Sequence, residues 1–336
     1  MHVGPYRIEG EIGRGGMGRV FRASVLGEKG RTPTVALKQL ELEDPTAMAR
    51  FERETKLASL LNHPNICRVF DFFVGDGDAF LAMELVSGIS LEEFHGLARR
   101  PGAGMHPRLA LYIVREVAKA LDYASKRPDP DTGLAMHLIH RDVTPANILL
   151  SKDGKVKLID FGIARRPRDA SFTGSNTVHG TVRFLAPEQV LGNKLDSRVD
   201  VYALSMVLGE ALLGYAPYAK LAPVDMLTRL RKKRPLDFRA LLKNVPEPLL
   251  RVLERGTAPD RDWRFQSAEE LLQALEEVVV VTGWKAGPKD LRAAMRGSER
   301  FPKWFQRTRA FVRRWAIPLA LLAAVLLGFL LLRRPF

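Results

Sequence analysis

At 336 residues with 46% hydrophobic side chains, the chain carries enough apolar mass for one large or two modest folded domains, which excludes a disordered polypeptide. Cys67 is the only cysteine, so no intramolecular disulfide can form and the chain suits a reducing compartment. The net charge of +14 is unevenly spread: residues 283–336 carry 12 Lys and Arg against Asp290 and Glu299, which leaves only +4 for the first 282 residues and excludes a basic nucleic-acid-binding face on the body.

The first residues, MHVGPYRIEG, contain no apolar run behind a basic start, so no secretory leader is expected. Tyr6 to Ile12 reads as a strand, followed by Gly13-Arg14-Gly15-Gly16-Met17-Gly18-Arg19-Val20 and a second strand through Ser24. Glycines at Gly13, Gly15 and Gly18 let a hairpin turn lie close over phosphates with its N–H groups exposed. That spacing is weak by itself, and its context decides: a dinucleotide fingerprint opens a helix after the glycines, whereas Val20 and Phe21 continue as a strand.

Thr34 to Leu40 is the next strand and contains Val35-Ala36-Leu37-Lys38. A helix follows, started by Asp44 and Pro45 and stopped by Asn62 to Pro64, with Met48, Phe51, Thr55 and Ala58 on one face and Glu54 on the same helix. His63 in that stop signal reads as structural. Cys67 to Val74 and Ala79 to Leu85 are two more strands joined by a Gly-Asp-Gly-Asp turn. From Ser90 the period becomes helical, with Leu109, Ile113, Val117, Ala120 and Leu121 on a helix that ends near Ser125 before the loop RPDPDTG, to which no function attaches.

The densest chemistry lies between His140 and Gly162. Two apolar runs, Ile148 to Leu150 and Val156 to Ile159, flank a Lys-Asp-Gly turn and predict a tight hairpin. Asp142 and Asn147 precede the first run and Asp160 follows the second, so closing the hairpin gathers two carboxylates and a carboxamide at one end. Oxygen donors of this kind suit Mg²⁺, which takes one or two carboxylates and leaves its other positions to water and phosphates.

His140-Arg141-Asp142, Asn147 and Asp160-Phe161-Gly162 together resemble the catalytic loop and metal motif of eukaryotic-like (Hanks-type) serine/threonine protein kinases, including bacterial membrane-anchored members. The resemblance extends from about Tyr6 to Val280. It implies a two-lobed α+β kinase fold over 1–280, with a small β-rich lobe to about residue 85 and a larger helical lobe beyond it. It also implies ATP and Mg²⁺ as cofactors, and an ATP site between the lobes covered by Ile12, Gly13, Gly15 and Gly18. In that frame Lys38 grips the α- and β-phosphates and Glu54 orients it, while Asp142 acts as base and Asn147 and Asp160 hold the metal. Met83 becomes the gatekeeper, the backbone of Glu84 and Val86 meets adenine, and Val20, Ala36 and Leu149 sandwich the ring.

The same resemblance makes residues 163–185 an activation segment that closes with Ala186-Pro187-Glu188. Thr181 then seats a hydroxyl substrate, Thr173, Ser175 and Thr177 are candidate regulatory phosphosites that Arg141 answers, Asp200 holds the catalytic-loop backbone and Arg264 pairs with Glu188. One residue departs from the pattern: Thr144 stands where serine/threonine kinases usually carry a lysine for the γ-phosphate. The implied function is ATP-dependent phosphorylation of serine and threonine on protein substrates, with two copies able to modify each other. A pseudokinase scaffold that binds nucleotide without transfer is the alternative, and Thr144 is the residue that points to it. A small-molecule phosphotransferase is a second alternative, opposed by the intact segment from Asp160 to Glu188.

Ala316 to Leu332 reads AIPLALLAAVLLGFLLL, 17 uncharged and nearly all apolar residues. At about 1.5 Å per residue this spans roughly 25 Å, and Trp315 with the flanking arginine pairs can extend it across a ~30 Å hydrocarbon core. The expectation is a transmembrane helix over 315–332, a basic juxtamembrane linker over 281–314 and a short tail over 333–336. Trp304, Arg307, Arg309, Arg313 and Arg314 suit anionic headgroups, so membrane lipids are an expected partner, with the kinase domain cytoplasmic on a single-pass anchor.

Overall fold

The structure is a computed structural model that describes residues 2–15, 18–25, 33–40, 45–75, 78–97, 104–130, 132–161, 182–243 and 245–298. A six-stranded antiparallel sheet contains β1 (His2–Val3), β2 (Tyr6–Gly15), β3 (Gly18–Val25), β4 (Thr34–Leu40), β5 (Val69–Gly75) and β6 (Asp78–Glu84) in the order β1-β2-β3-β4-β6-β5. Helix α1 (Pro45–Ser59) follows β4. The period of two along β4 serves two cores: Val35 and Leu37 join Tyr6, Phe21 and Phe80, whereas Ala36 and Leu40 join Phe51 of α1, Leu81 and Met83. Strand β4 is therefore buried on both faces, and Lys38 lies on the face covered by α1.

After the strand pair, β7 (Gly88–Ser90) leads into α2 (Leu91–Gly96), started by a capping box in which Ser90 and Glu93 each satisfy the other's backbone N–H. Helix α3 (Pro107–Lys126) carries the expected stripe, with Leu109, Ile113, Val117, Ala120 and Leu121 all buried. Beyond it, β8 (Ile148–Ser151) and β9 (Val156–Leu158) form the expected hairpin, which is three-stranded because β7 pairs with β8. The helices that follow are α4 (Pro187–Leu191), α5 (Arg198–Leu213), α6 (Pro223–Arg231), α7 (Phe238–Leu241), α8 (Glu247–Gly256), α9 (Ala268–Thr282) and α10 (Pro288–Ser298). Helix α5 is apolar on every side and nearly all buried, so it is a central strut of this half, packed by α3, α8 and α9.

Three regions differ from the sequence reading. Strands β2 and β3 continue into the glycine turn, pairing Gly13 with Val20 and Gly15 with Gly18, and β2 takes up register shifts between Ile8 and Gly10 and between Glu11 and Gly13. The RPDPDTG segment, read as loop, folds back on itself: Pro128 bridges Ala135, Asp129 N–H donates to the Leu134 carbonyl at 2.8 Å and Met136 N–H to that of Arg127 at 2.8 Å. Within 281–314, read as linker, Pro288–Ser298 form α10, whose Leu291 is fully buried.

Residues Met1–Ala293 make one compact unit and Ala294–Phe336 a second. Among the described residues no helix is long and apolar enough to cross a membrane, and the apolar run 316–332 lies outside them.

Candidate active site

The backbone ahead of β8 is organised by one buried carboxylate. Asp200, in the first turn of α5, accepts the His140 N–H at 2.7 Å on one oxygen and the Arg141 N–H at 2.8 Å on the other. Burial raises the pKa of Asp200, and these two backbone donors oppose that rise. His140 is fully buried, lies edge-on to Phe161 with centroids 4.7 Å apart, and contacts the Ile159 carbonyl through Nε2 at 2.8 Å. Because a carbonyl only accepts, and because Nδ1 takes the Asp142 N–H at 3.3 Å, the ring is the Nε2–H tautomer. A side chain that could read as a catalytic base thus serves as a brace between the segment before β8 and the segment after β9.

That brace turns the chain sharply. Arg141 has φ 69° and Asp160 φ 62°, left-handed conformations that cost non-glycine residues about 1–3 kcal/mol each. The result brings Asp142, Asn147 and Asp160 to one end of the β8–β9 hairpin, as the sequence pattern requires. Asn147, in the 3₁₀ turn Pro145–Asn147, donates through Nδ2 to the Asp142 carbonyl at 2.8 Å and to Asp142 Oδ2 at 2.9 Å, and the Ile159 N–H closes on the Asn147 carbonyl at 3.0 Å. With its amide nitrogen committed, Asn147 presents its side-chain oxygen. Burial pushes the Asp142 carboxyl above the usual carboxylate range, opposed by the Asn147 amide and Lys38.

Lys38 reaches this cluster from the small sheet. Its Nζ lies 2.7 Å from Asp160 Oδ2, an ion pair between residues 122 apart in sequence. The sequence reading assigned Glu54 as the orienter of Lys38, and Asp160 is a partner it did not foresee. Glu54 lies half-buried on α1, next to buried Thr55.

Above the cluster, Ala36 and Met83 are buried, and Val20, Leu85, Val86 and Ile159 pack against the same group, while Leu149 of β8 is half-buried. The glycines divide their roles. A Cβ at Gly13 meets nothing within 4 Å, which leaves that backbone free to approach a ligand, while Ile12 beside it is exposed. Gly18, at φ 121°, backs onto β4, where a Cβ would collide with the Gln39 carbonyl oxygen. Gly18 therefore fixes the hairpin to its neighbouring strand, a role the phosphate argument did not assign.

Glu188 and Arg264 form a bidentate pair at 2.6 and 2.9 Å, with the Arg264 guanidinium also donating to the carbonyls of Ala258, Pro259 and Arg198 and lying over the Tyr202 ring at 4.8 Å. Gln189, which no motif singled out, extends this support: its Nε2 donates to the Arg141 carbonyl at 3.0 Å and its Oε1 accepts the Ala186 N–H at 2.9 Å. Thr144 is buried at the start of the 3₁₀ turn. Gly162, Thr173, Ser175, Thr177 and Thr181 lie outside the described residues.

The family model described as protein kinase domain matches residues 6–274. The serine/threonine-protein kinase PknH of Mycobacterium tuberculosis (strain ATCC 25618 / H37Rv) is 35% identical over 280 residues, 82% of this chain and 42% of that protein. PrkC of Bacillus subtilis, also a serine/threonine-protein kinase, is 32% identical over 273 residues, 80% of this chain and 39% of its own length. The tyrosine-protein kinase MasK of Myxococcus xanthus is 29% identical over 312 residues, 91% of this chain and 48% of MasK. The chain thus spans less than half the length of these relatives. Among solved structures, the kinase domain of Mycobacterium tuberculosis PknI superposes with a TM-score of 0.64 at 31% identity, covering 82% of this chain and 97% of that one.

Proposed function

Since the chain belongs to the protein kinase family, we propose that it transfers the γ-phosphoryl group of ATP to serine and threonine hydroxyls of proteins at a membrane surface. The observation that carries this reading is the convergence of Asp142, Asn147 and Asp160 at one end of the β8–β9 hairpin with Lys38 delivered from the opposite sheet. The open oxygen of Asn147 and the carboxylate of Asp160 are hard donors that fit Mg²⁺. When bound, that ion supplies charge neutralisation on the phosphates.

The chain's own residues do the rest. Lys38 holds phosphate oxygens as a point charge, and the backbone at Gly13 covers them without a side chain in the way. Asp142 accepts the proton of the incoming hydroxyl as the new P–O bond forms and the bond to ADP breaks. Its raised pKa strengthens it as a base, and Asn147 keeps the accepting carboxylate aimed. Thr144 removes one cation from the usual set but leaves the base, both metal donors and Lys38 in position, which favours transfer over a silent scaffold.

The direct test incubates the full chain with labelled ATP, Mg²⁺ and a generic protein acceptor. Asp142→Asn should lower the rate by about 10²–10⁴-fold with folding retained; undiminished transfer in that variant would remove the assignment. Phosphoamino-acid analysis of the product separates serine and threonine from tyrosine, the specificity carried by the name of MasK.

Membrane attachment rests on the apolar run 316–332 and the arginines before it. The full chain should pellet with membranes and resist both high salt and alkaline washing, whereas release by salt alone would mean surface attachment. Control by phosphorylation of Thr173, Ser175 or Thr177 is supported by Arg141, whose Nε has no hydrogen-bond partner among the described residues. Mass spectrometry that found the segment unmodified in fully active enzyme would remove this mode of control.

A further inference from the structure

Beyond the groups that face phosphate and metal, one ion pair ties the two halves together behind the cleft. Lys157 of β9 places Nζ 2.7 Å from Glu84 Oε2 and 3.2 Å from the Ile66 carbonyl. Glu84 is the last residue of β6, where the small sheet gives way to the segment leading into β7. The same carboxylate oxygen also accepts the Arg68 N–H at 3.3 Å, and the Glu84 backbone is held by its N–H donating to the Arg68 carbonyl at 2.8 Å and by the Cys67 thiol against its carbonyl at 3.4 Å. Burial pushes the Cys67 thiol up to about 12, so it remains a protonated donor.

Residues 65–67 in turn run beside β9: the Leu158 N–H donates to the Asn65 carbonyl at 2.8 Å, and the Cys67 N–H donates to the Leu158 carbonyl at 2.9 Å. The backbone bonds dock this segment against β9, and Lys157 joins β9 to Glu84 itself by a direct ion pair. The Lys157 side chain is 12% exposed and that of Glu84 33%, so the pair is shielded more than a surface contact and retains more of its strength. Two residues beyond Lys157 along the same strand direction the chain reaches Ile159 and then Asp160.

We propose that Lys157 is a positioning residue for nucleotide recognition: through Glu84 it fixes the crossing segment at the adenine end of the cleft relative to the strand that delivers Asp160 at the phosphate end. This rests on the reading of the cleft as an ATP site, with the Glu84 and Val86 backbone at adenine. A lysine that only stabilised the fold would affect all substrates alike through the amount of folded enzyme. A lysine that positions Glu84 affects the adenine end selectively.

The full chain is assayed with ATP and a generic protein acceptor, with adenosine as a competitor of ATP. Lys157→Met, which keeps the apolar stem and removes the ammonium, should raise KM for ATP and weaken adenosine competition by about five- to tenfold, less than the loss of a direct charge-assisted hydrogen bond because Lys157 acts through Glu84. At saturating ATP, kcat and KM for the acceptor should stay within about twofold, because no group at the transferring phosphate is removed. Lys157→Arg should restore KM for ATP. Glu84→Gln, which keeps an acceptor and loses the charge, should move KM for ATP in the same direction by less, and adding it to Lys157→Met should produce little further change. If Lys157→Met fails to fold, the Glu84→Gln and Lys157→Arg measurements decide the matter. Unchanged KM for ATP in a variant with lowered thermal stability would overturn the proposal. Absence of competition between adenosine and ATP in the parent would instead overturn the adenine-site reading on which it depends.

Discussion

Lys38–Asp160 and Arg264–Glu188 are both long-range ion pairs, joining residues 122 and 76 apart in sequence, yet their surroundings differ. The Arg264 and Glu188 side chains are 0% and 6% exposed, and the guanidinium donates to three carbonyls as well as to both carboxylate oxygens. Lys38 and Asp160 are 9% and 14% exposed, and meet at 2.7 Å beside Asp142 and Asn147. A saturated, dry pair has no spare bonding capacity for a ligand, and so it can only hold structure. A pair that lies beside Asp142 and Asn147 at the end of the hairpin is placed to exchange its partner for phosphate or metal. Placement beside the other site groups, rather than charge, separates the functional pair from the structural one.

The sharpest way to break this comparison is to remove one member of each pair. Lys38→Met should reduce phosphoryl transfer by roughly 10²-fold or more while costing less stability than Arg264→Met, because Asp160 is the more exposed of the two carboxylates left behind. Arg264→Met should cost about 3–5 kcal/mol, since it strands a carboxylate that water cannot reach, and loss of activity should follow loss of folded protein. Thermal unfolding and initial rates on both variants check this. Equal stability losses would mean the two sites are alike.

Glycines offer a smaller version of the same contrast. Gly18→Ala drives a methyl into the Gln39 carbonyl from a left-handed backbone and should cost about 2 kcal/mol or more in stability. Gly13→Ala meets open space, so its stability should stay within about 0.5 kcal/mol of the parent, and any effect should appear as a raised KM for ATP. Chemical denaturation and ATP titration on the two variants separate these outcomes.

The smallest expected effect tests the exposed limit. Asp196 accepts from Arg198, which holds its carboxyl below the usual range, so it contributes stability that is present above the ordinary carboxylate pKa and is lost as pH falls through the lowered folded value. Its side chain is 40% exposed, and screening limits the contribution to less than about 1 kcal/mol. The stability difference between the parent and Asp196→Asn should therefore be small at pH 7, vanish in acid and shrink in high salt. A large, salt-insensitive difference would place Asp196 with Glu188.

Patterns with a short repeat were legible without coordinates. The stripe of α3 and the hairpin around Lys152 to Lys155 each follow from residue spacing, because a strand or helix face is set within a few residues. The hairpin also determined that Asp142, Asn147 and Asp160 share one end, since a tight turn fixes where its flanks meet.

Other features depended on contacts between distant segments. Nothing near Gly18 in sequence announces the Gln39 carbonyl, no motif marks Gln189 as a prop for Arg141, and Lys157 meets Glu84 only because β9 passes behind the end of β6. The Pro/Asp/Gly loop within residues 127–136 folds back on itself, and the basic stretch after Val280 holds the helix Pro288–Ser298 with Leu291 buried. The sequence by itself determined which chemical groups exist and which local turns bring them together, because those depend on backbone geometry over a few residues. The tertiary structure alone decided which of those groups are saturated and dry and which remain open to a ligand, because burial and bonding are supplied by segments that local spacing does not encode.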